Sequence, residues 1–138
     1  MAQQLADIVG IDFYPRHALL SIGERTLYMD GSRSLWQQYR RRRLFAWART
    51  RGRSLMISEG QAEPWETVTT PPNPQGADMY SCAPEQLVEN YNQCLGWARE
   101  AEFPLHAYLF WGAEYWVLRQ QSGDSRYLDA FDRVLNKR

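Results

Sequence analysis

A carboxylate closes an otherwise apolar run at residues 54–60, Ser-Leu-Met-Ile-Ser-Glu-Gly. Desolvating a carboxylate is costly unless it is paired or hydrogen-bonded, so Glu59 at the end of such a run calls for a partner or a task. Two other runs of strand character end in aromatic residues. Residues 7–15 finish in Phe13-Tyr14-Pro15, and residues 104–111 finish in Phe110-Trp111, just before Gly112. In parallel α/β folds the carboxyl ends of the strands form the mouth of the site. One mouth would therefore collect a Tyr, a Glu and a Trp. That set suits a sugar: aromatic faces pack on pyranose C–H groups, and a carboxylate can attack an anomeric carbon.

The elements that must hold these residues alternate. Residues 7–15 are short, β-branched and aromatic, and Pro15 stops them, which predicts a buried strand. Residues 16–33, punctuated by Gly23, Asp30 and Gly31, read as a loop. Ser34 starts a helix that runs to about residue 51. Leu35, Trp36, Tyr39, Phe45, Ala46 and Trp47 are its expected apolar face, with the arginines at 40–43 on the wet side and Gly52 as its C-cap. The strand carrying Glu59 follows. Residues 61–83 form a long loop rich in proline, a length often associated with function. Pro84 opens a second helix to about residue 102, with Leu87, Tyr91, Cys94, Leu95 and Ala98 at helical spacing. The third strand covers residues 104–111. After a polar turn, Asp124 is the expected N-cap of a last helix whose face is Leu128, Phe131, Val134 and Leu135. Strict alternation of strand and helix predicts an α/β fold with a parallel sheet and right-handed crossovers.

Composition excludes several classes. The chain has 138 residues, 44% hydrophobic and 14% aromatic, which rules out a disordered tail and suggests a single domain over residues 1–138. Its longest uncharged apolar run, residues 105–113, is too short to cross a bilayer, so no membrane is expected as a partner. No signal peptide is visible at the N-terminus, and location is left open. Two cysteines, Cys82 and Cys94, make no disulfide framework, and neither sits at zinc spacing; no metal or other cofactor is expected. His17 and His106 belong to no catalytic triad pattern and are read as structural. Net charge is zero, but residues 1–53 carry ten basic and four acidic side chains, and residues 54–138 carry six and twelve. Seven arginines fall in residues 40–53. The expected role of that cluster is a solvated helix face, because the aromatic patterns of RNA-binding modules are missing and no nucleic-acid partner is expected.

Three of these segments, in order, resemble retaining glycoside hydrolases of the cellulase-type (β/α)8-barrel clan. Ile57-Ser-Glu-Gly-Gln-Ala-Glu-Pro-Trp65 is similar to their seventh strand, which carries the nucleophile. Val9-Gly-Ile-Asp-Phe-Tyr14 resembles the sixth strand, and Tyr108-Leu-Phe-Trp-Gly112 the eighth. The resemblance covers nearly the whole chain. It implies a partial (β/α)8 TIM barrel, three parallel βα units from strand six to strand eight. It implies Glu59 as nucleophile of a double displacement, with Tyr14 holding its orientation. Trp111 would be a stacking floor for an oligosaccharide or polysaccharide substrate, while Gln61, Glu63, Trp65 and Glu114 would line neighbouring sugar sites.

The chain departs from the clan in one respect. The clan's acid/base Glu follows an Asn at the end of strand four, and no Asn-Glu pair occurs here. Glu63 and Glu66 share a loop with Glu59 and are poorly placed to replace it. The isolated chain is therefore expected to be inactive, with its open strand edges completed by a missing N-terminal barrel part or by self-association. Two other readings compete. One is a non-catalytic carbohydrate-binding or pseudoenzyme module using Trp65, Trp111 and Trp116 as sugar platforms. The other is a self-contained three-stranded protein that binds an anion through the arginine cluster.

Overall fold

A computed structural model of the chain describes residues 6–23, 25–65 and 81–136. Glu66 and the loop prolines Pro71, Pro72 and Pro74 lie outside those residues. The elements are β1 (Ile8–Phe13), β2 (Arg16–Ile22), β3 (Arg25–Asp30), α1 (Leu35–Arg51), β4 (Ser54–Gln61), α2 (Pro84–Glu100), β5 (Leu105–Trp111), α3 (Ala113–Gln121) and α4 (Arg126–Leu135). A 3-10 turn, Gly31–Arg33, precedes α1.

The caps are where local chemistry puts them. Ser34 accepts the Gln37 backbone N–H on its hydroxyl at 3.2 Å, satisfying one of the free donors of the first turn. Gly52 ends α1 at φ +61°, a left-handed conformation that suits a residue without Cβ. Pro84 begins α2, where its missing N–H costs nothing, and the Gln86 side chain accepts the Ala83 N–H at 2.6 Å. The Asp124 carboxylate accepts the backbone N–H of Arg126 at 3.3 Å and so serves the start of α4, although Ser125 occupies the boundary position.

Strands β1, β4 and β5 form one parallel sheet in that order. Successive crossovers step in one direction, so right-handed connections place α1 and α2 on the same face. Packing agrees: Phe45 and Ala48 of α1 and Ala98 of α2 share a cluster with Leu55, Val9, Ile11 and Leu105 of the strands. Farther along, Phe13, Ile57 and Cys94 pack with Tyr108 and Trp97. A third cluster joins Leu87 of α2, Trp116 of α3 and Tyr127 and Val134 of α4. The opposite face carries no helix among the described residues, and Asp12, Leu109 and Trp111 are exposed there.

Three expectations need correcting. Residues 16–33 contain an antiparallel hairpin, β2–β3, where a loop was expected. Its β-branched and apolar residues flank Gly23, which turns at φ +61°. Residues 113–121 form a helix, α3, that the aromatic run after Gly112 did not announce. Finally, Leu35, Trp36, Tyr39 and Ala46 of α1 are exposed, while Arg41 lies over the Trp97 ring, 4.0 Å from its centroid. Arg41, Phe45 and Ala48 are four and three residues apart, which puts them on one helical face. The guanidinium is therefore part of the packing and not of the wet side.

Candidate active site

The register of β4 carries one residue too many. Ile11 pairs with Ile57 and Asp12 with Glu59; Ile57 pairs with Tyr108 and Gly60 with Phe110. Both neighbours therefore see a bulge at Ser58–Glu59. A bulge breaks the simple alternation of side chains and re-aims one of them. Ile57 packs toward the helices, and a Cβ on Gly60 would overlap the Tyr108 ring on that same side. Ser58 and Glu59 both face away from it: Ser58 donates its hydroxyl to Asp12 Oδ1 at 2.8 Å, and Glu59 meets Tyr14.

The Tyr14 hydroxyl donates to Glu59 Oε2 at 2.7 Å, across adjacent strands and at their carboxyl ends. Burial, then the hydrogen bond to Glu59 and its charge, raise the Tyr14 pKa well above the usual phenol value; Asp12 and Glu63 push the same way. The phenol is thus kept as a proton donor. Trp65 leans on it, ring centroids 5.1 Å apart and planes inclined by 36°. The Trp65 backbone N–H donates to Ser81 Oγ at 2.6 Å, which ties the start of the long loop to its end. Asp12 and Ser58 were missed as site neighbours; the signal was a second carboxylate two residues before Tyr14 in an apolar strand.

The remaining sequence candidates separate into two groups. Trp65 is 57% exposed and Trp111 45%, so both can offer a face to a ligand. Glu114 is exposed in the first turn of α3. Glu63 is half-buried, and burial followed by the charge of Glu114 raises its pKa above the ordinary carboxylate value. Its side chain crosses Gly112, which sits at φ +98° and has no room for a Cβ. Gln61 does not face the mouth. It is 1% exposed, and its amide nitrogen donates to Glu63 O at 3.3 Å. The Gln61 carbonyl accepts from Asn90 Nδ2 at 3.1 Å, so this residue anchors the loop on α2. Trp116 is 3% exposed and donates its indole N–H to Ala62 O at 2.7 Å. It is a core residue and corrects the expectation of a third aromatic platform.

The arginine cluster is partly spent on structure. Besides Arg41 on Trp97, Arg49 donates to the Ala101 carbonyl and Arg53 pairs with Asp7. No group of His, Cys, Asp and Glu among the described residues could hold a metal ion. His17 borders the groove beside β1, and His106 is exposed within β5. No helix among the described residues is long and apolar enough to cross a membrane. No protein family, curated protein or solved structure matches the chain.

Proposed function

We propose that this chain is a three-unit slice of a (β/α)8 barrel and that the barrel is a retaining glycoside hydrolase with Glu59 as nucleophile. The observation that carries the reading is the Tyr14–Glu59 hydrogen bond at the carboxyl ends of two adjacent parallel strands. A phenol donating to one carboxylate oxygen fixes the group's rotation and leaves the other oxygen for the anomeric carbon. In the first step Glu59 bonds to that carbon while the glycosidic bond breaks. The leaving oxygen takes a proton from a second carboxyl group about 5–5.5 Å from the first, and water then hydrolyses the ester. That second group would come from a strand outside these residues. Trp111 and Trp65, both exposed, would stack on sugar rings on either side.

Three features support the barrel part. The sheet grows in one direction with α1 and α2 on a single face, as a closed barrel requires and a doubly wound sheet does not. Apolar side chains are exposed on both flanks, where neighbouring units would pack: Trp36 and Tyr39 beside β1, and Val117 and Leu118 on α3, after β5. A groove of about 900 Å³ lies along β1 and α1, lined by Phe13, Trp36, Tyr39, Arg40, Leu44 and Trp47. A preceding unit's helix would occupy it.

The test is labelling with a 2-deoxy-2-fluoro glycosyl fluoride in a polypeptide that carries the remaining βα units. The expected result is a sugar adduct on the Glu59 peptide, lost in Glu59→Gln. Saturable sugar binding without an adduct would replace the hydrolase with a binding module. Hydrolysis of aryl glycosides by the isolated 138 residues, abolished by Glu59→Gln, would overturn the slice.

A further inference from the structure

The hairpin presents an apolar face to water. In its register Leu20 pairs with Leu27 and His17 with Met29. Residues two apart on a strand share a face, so Leu20, Ile22, Leu27 and Met29 form one continuous stripe. All four are exposed, as is Leu19 at the irregularity between Ala18 and Leu20. The opposite face is the polar one: the Ser21 and Thr26 hydroxyls hydrogen-bond at 3.0 Å. The ribbon is thus amphipathic with its apolar side outward, the reverse of what folding of an isolated monomer selects. A two-stranded ribbon is also marginal in water by itself and gains from burial of one face.

The surface continues onto α1. His17, on the stripe's side beside Met29, lines the same groove as Trp36 and Tyr39. Those two rings are exposed and stacked 5.9 Å apart. The hairpin side chains offer roughly 500 Å² of apolar area, above the few hundred that a monomer commonly exposes in one patch. Two such faces together bury about 1,000 Å², the lower bound for a specific interface, before Trp36 and Tyr39 are counted.

We propose that this face binds a second copy of the same chain, hairpin against hairpin about a two-fold axis. A stripe of four aliphatic side chains is complementary to itself. An isologous contact then closes at two copies, because the same patch is used on both. The hairpin is an insertion between β1 and α1, so its pairing leaves both sheet edges free and the Tyr14–Glu59 pair intact. This inference is independent of the hydrolase reading: it rests on the ribbon alone and is read out by mass, whereas that reading is tested by covalent labelling.

The experiment is light scattering coupled to gel filtration on the 138-residue chain between 1 and 100 μM, with three variants. The unmodified chain is expected to approach twice its 16.2 kDa mass at the upper concentrations. Leu20→Ser with Leu27→Ser is expected to remain monomeric, with the α/β circular dichroism spectrum unchanged. Ser21→Lys, on the polar face, keeps the dimer, and so does Leu118→Glu on the far flank. A monomer at 100 μM overturns the proposal. So does a mass that climbs past two copies and collapses with Leu118→Glu, since association would then run through the open sheet edges.

Discussion

Substituting Gly60 with Ala tests the packing that aims Glu59. The added Cβ would overlap the Tyr108 ring at Cζ, Oη and Cε1, inside the 3.0 Å that real Cβ atoms keep. To regain van der Waals distance, the ring or the strand must withdraw by about 1 Å. The ring has little freedom to do so. Tyr91 meets it edge-on at 5.2 Å between centroids, and Phe110 lies 4.7 Å away on the other side. Overpacking a core costs typically about 1–3 kcal/mol, and a ring held on two sides puts this site at about 2–3. Urea unfolding followed by Trp fluorescence measures it: the midpoint should fall while the slope stays constant. Tyr108→Leu removes the atoms that clash. In the Gly60→Ala background it should recover about 1 kcal/mol or more, a coupling that non-contacting sites do not show. If Gly60→Ala costs less than about 0.5 kcal/mol, or if the two penalties simply add, then Gly60 is not required by the ring and the account of the bulge fails.

Four further outcomes follow from other contacts. Tyr108→Phe alone should be neutral or slightly stabilising in the same urea assay, because its buried hydroxyl has no hydrogen-bond partner among the described residues. Asp124→Asn should cost about 3 kcal/mol, since Asp124 bridges Arg126 at 2.8 Å and buried Arg119 at 2.7 Å, and the substitution leaves that guanidinium uncompensated. The hydrogen bonds from Arg126 and Arg119 hold the Asp124 carboxyl below the usual range, so its contribution is complete above about pH 4 and fades as pH falls further; unfolding midpoints from pH 6 to pH 2 should show that loss in the native chain and not in the Asn variant. Glu63 works in the opposite sense: burial and Glu114 raise its pKa in the folded chain, so stability declines as pH rises above about 4.3, and Glu63→Gln should flatten that slope between pH 4 and 8. Tyr127→Phe should cost about 1 kcal/mol in thermal unfolding, through loss of the buried 2.7 Å bond to the Cys82 carbonyl.

Which features were legible follows from how local their causes are. Ser34, Gly52 and Pro84 act within one helical turn, so the ends of α1 and the start of α2 could be placed from residue types. The parallel three-stranded sheet followed from alternation alone. The hairpin was hidden because Gly23, Asp30 and Gly31 signal turns whether or not strands lie between them. Trp116 looked like a platform because its burial depends on α3 folding back over Ala62, a contact across 54 positions. Arg41 looked like surface because charge is a prior on exposure, and only the position of Trp97 overrides it. In the site itself, Glu59 and Tyr14 stood out as polar ends of apolar strands, and their pairing is now measured. The bulge that allows it could not be read, since register is a property of two strands and not of one.

The central position of β4 has a consequence for timescales. Among the described residues it is the strand paired on both sides, whereas β1 is paired on one. Amide hydrogen exchange in β4 should therefore report opening close to the global limit, while the amides of β1 should exchange through local fraying of an edge. Glu59 rides on the slow element and Tyr14 follows directly from the fast one. The 2.7 Å bond between them thus spans two regimes of motion, and it can break without the core opening. Whatever pairs with the outer edge of β1 would slow that fraying, and through it set how long the carboxylate stays held in one orientation.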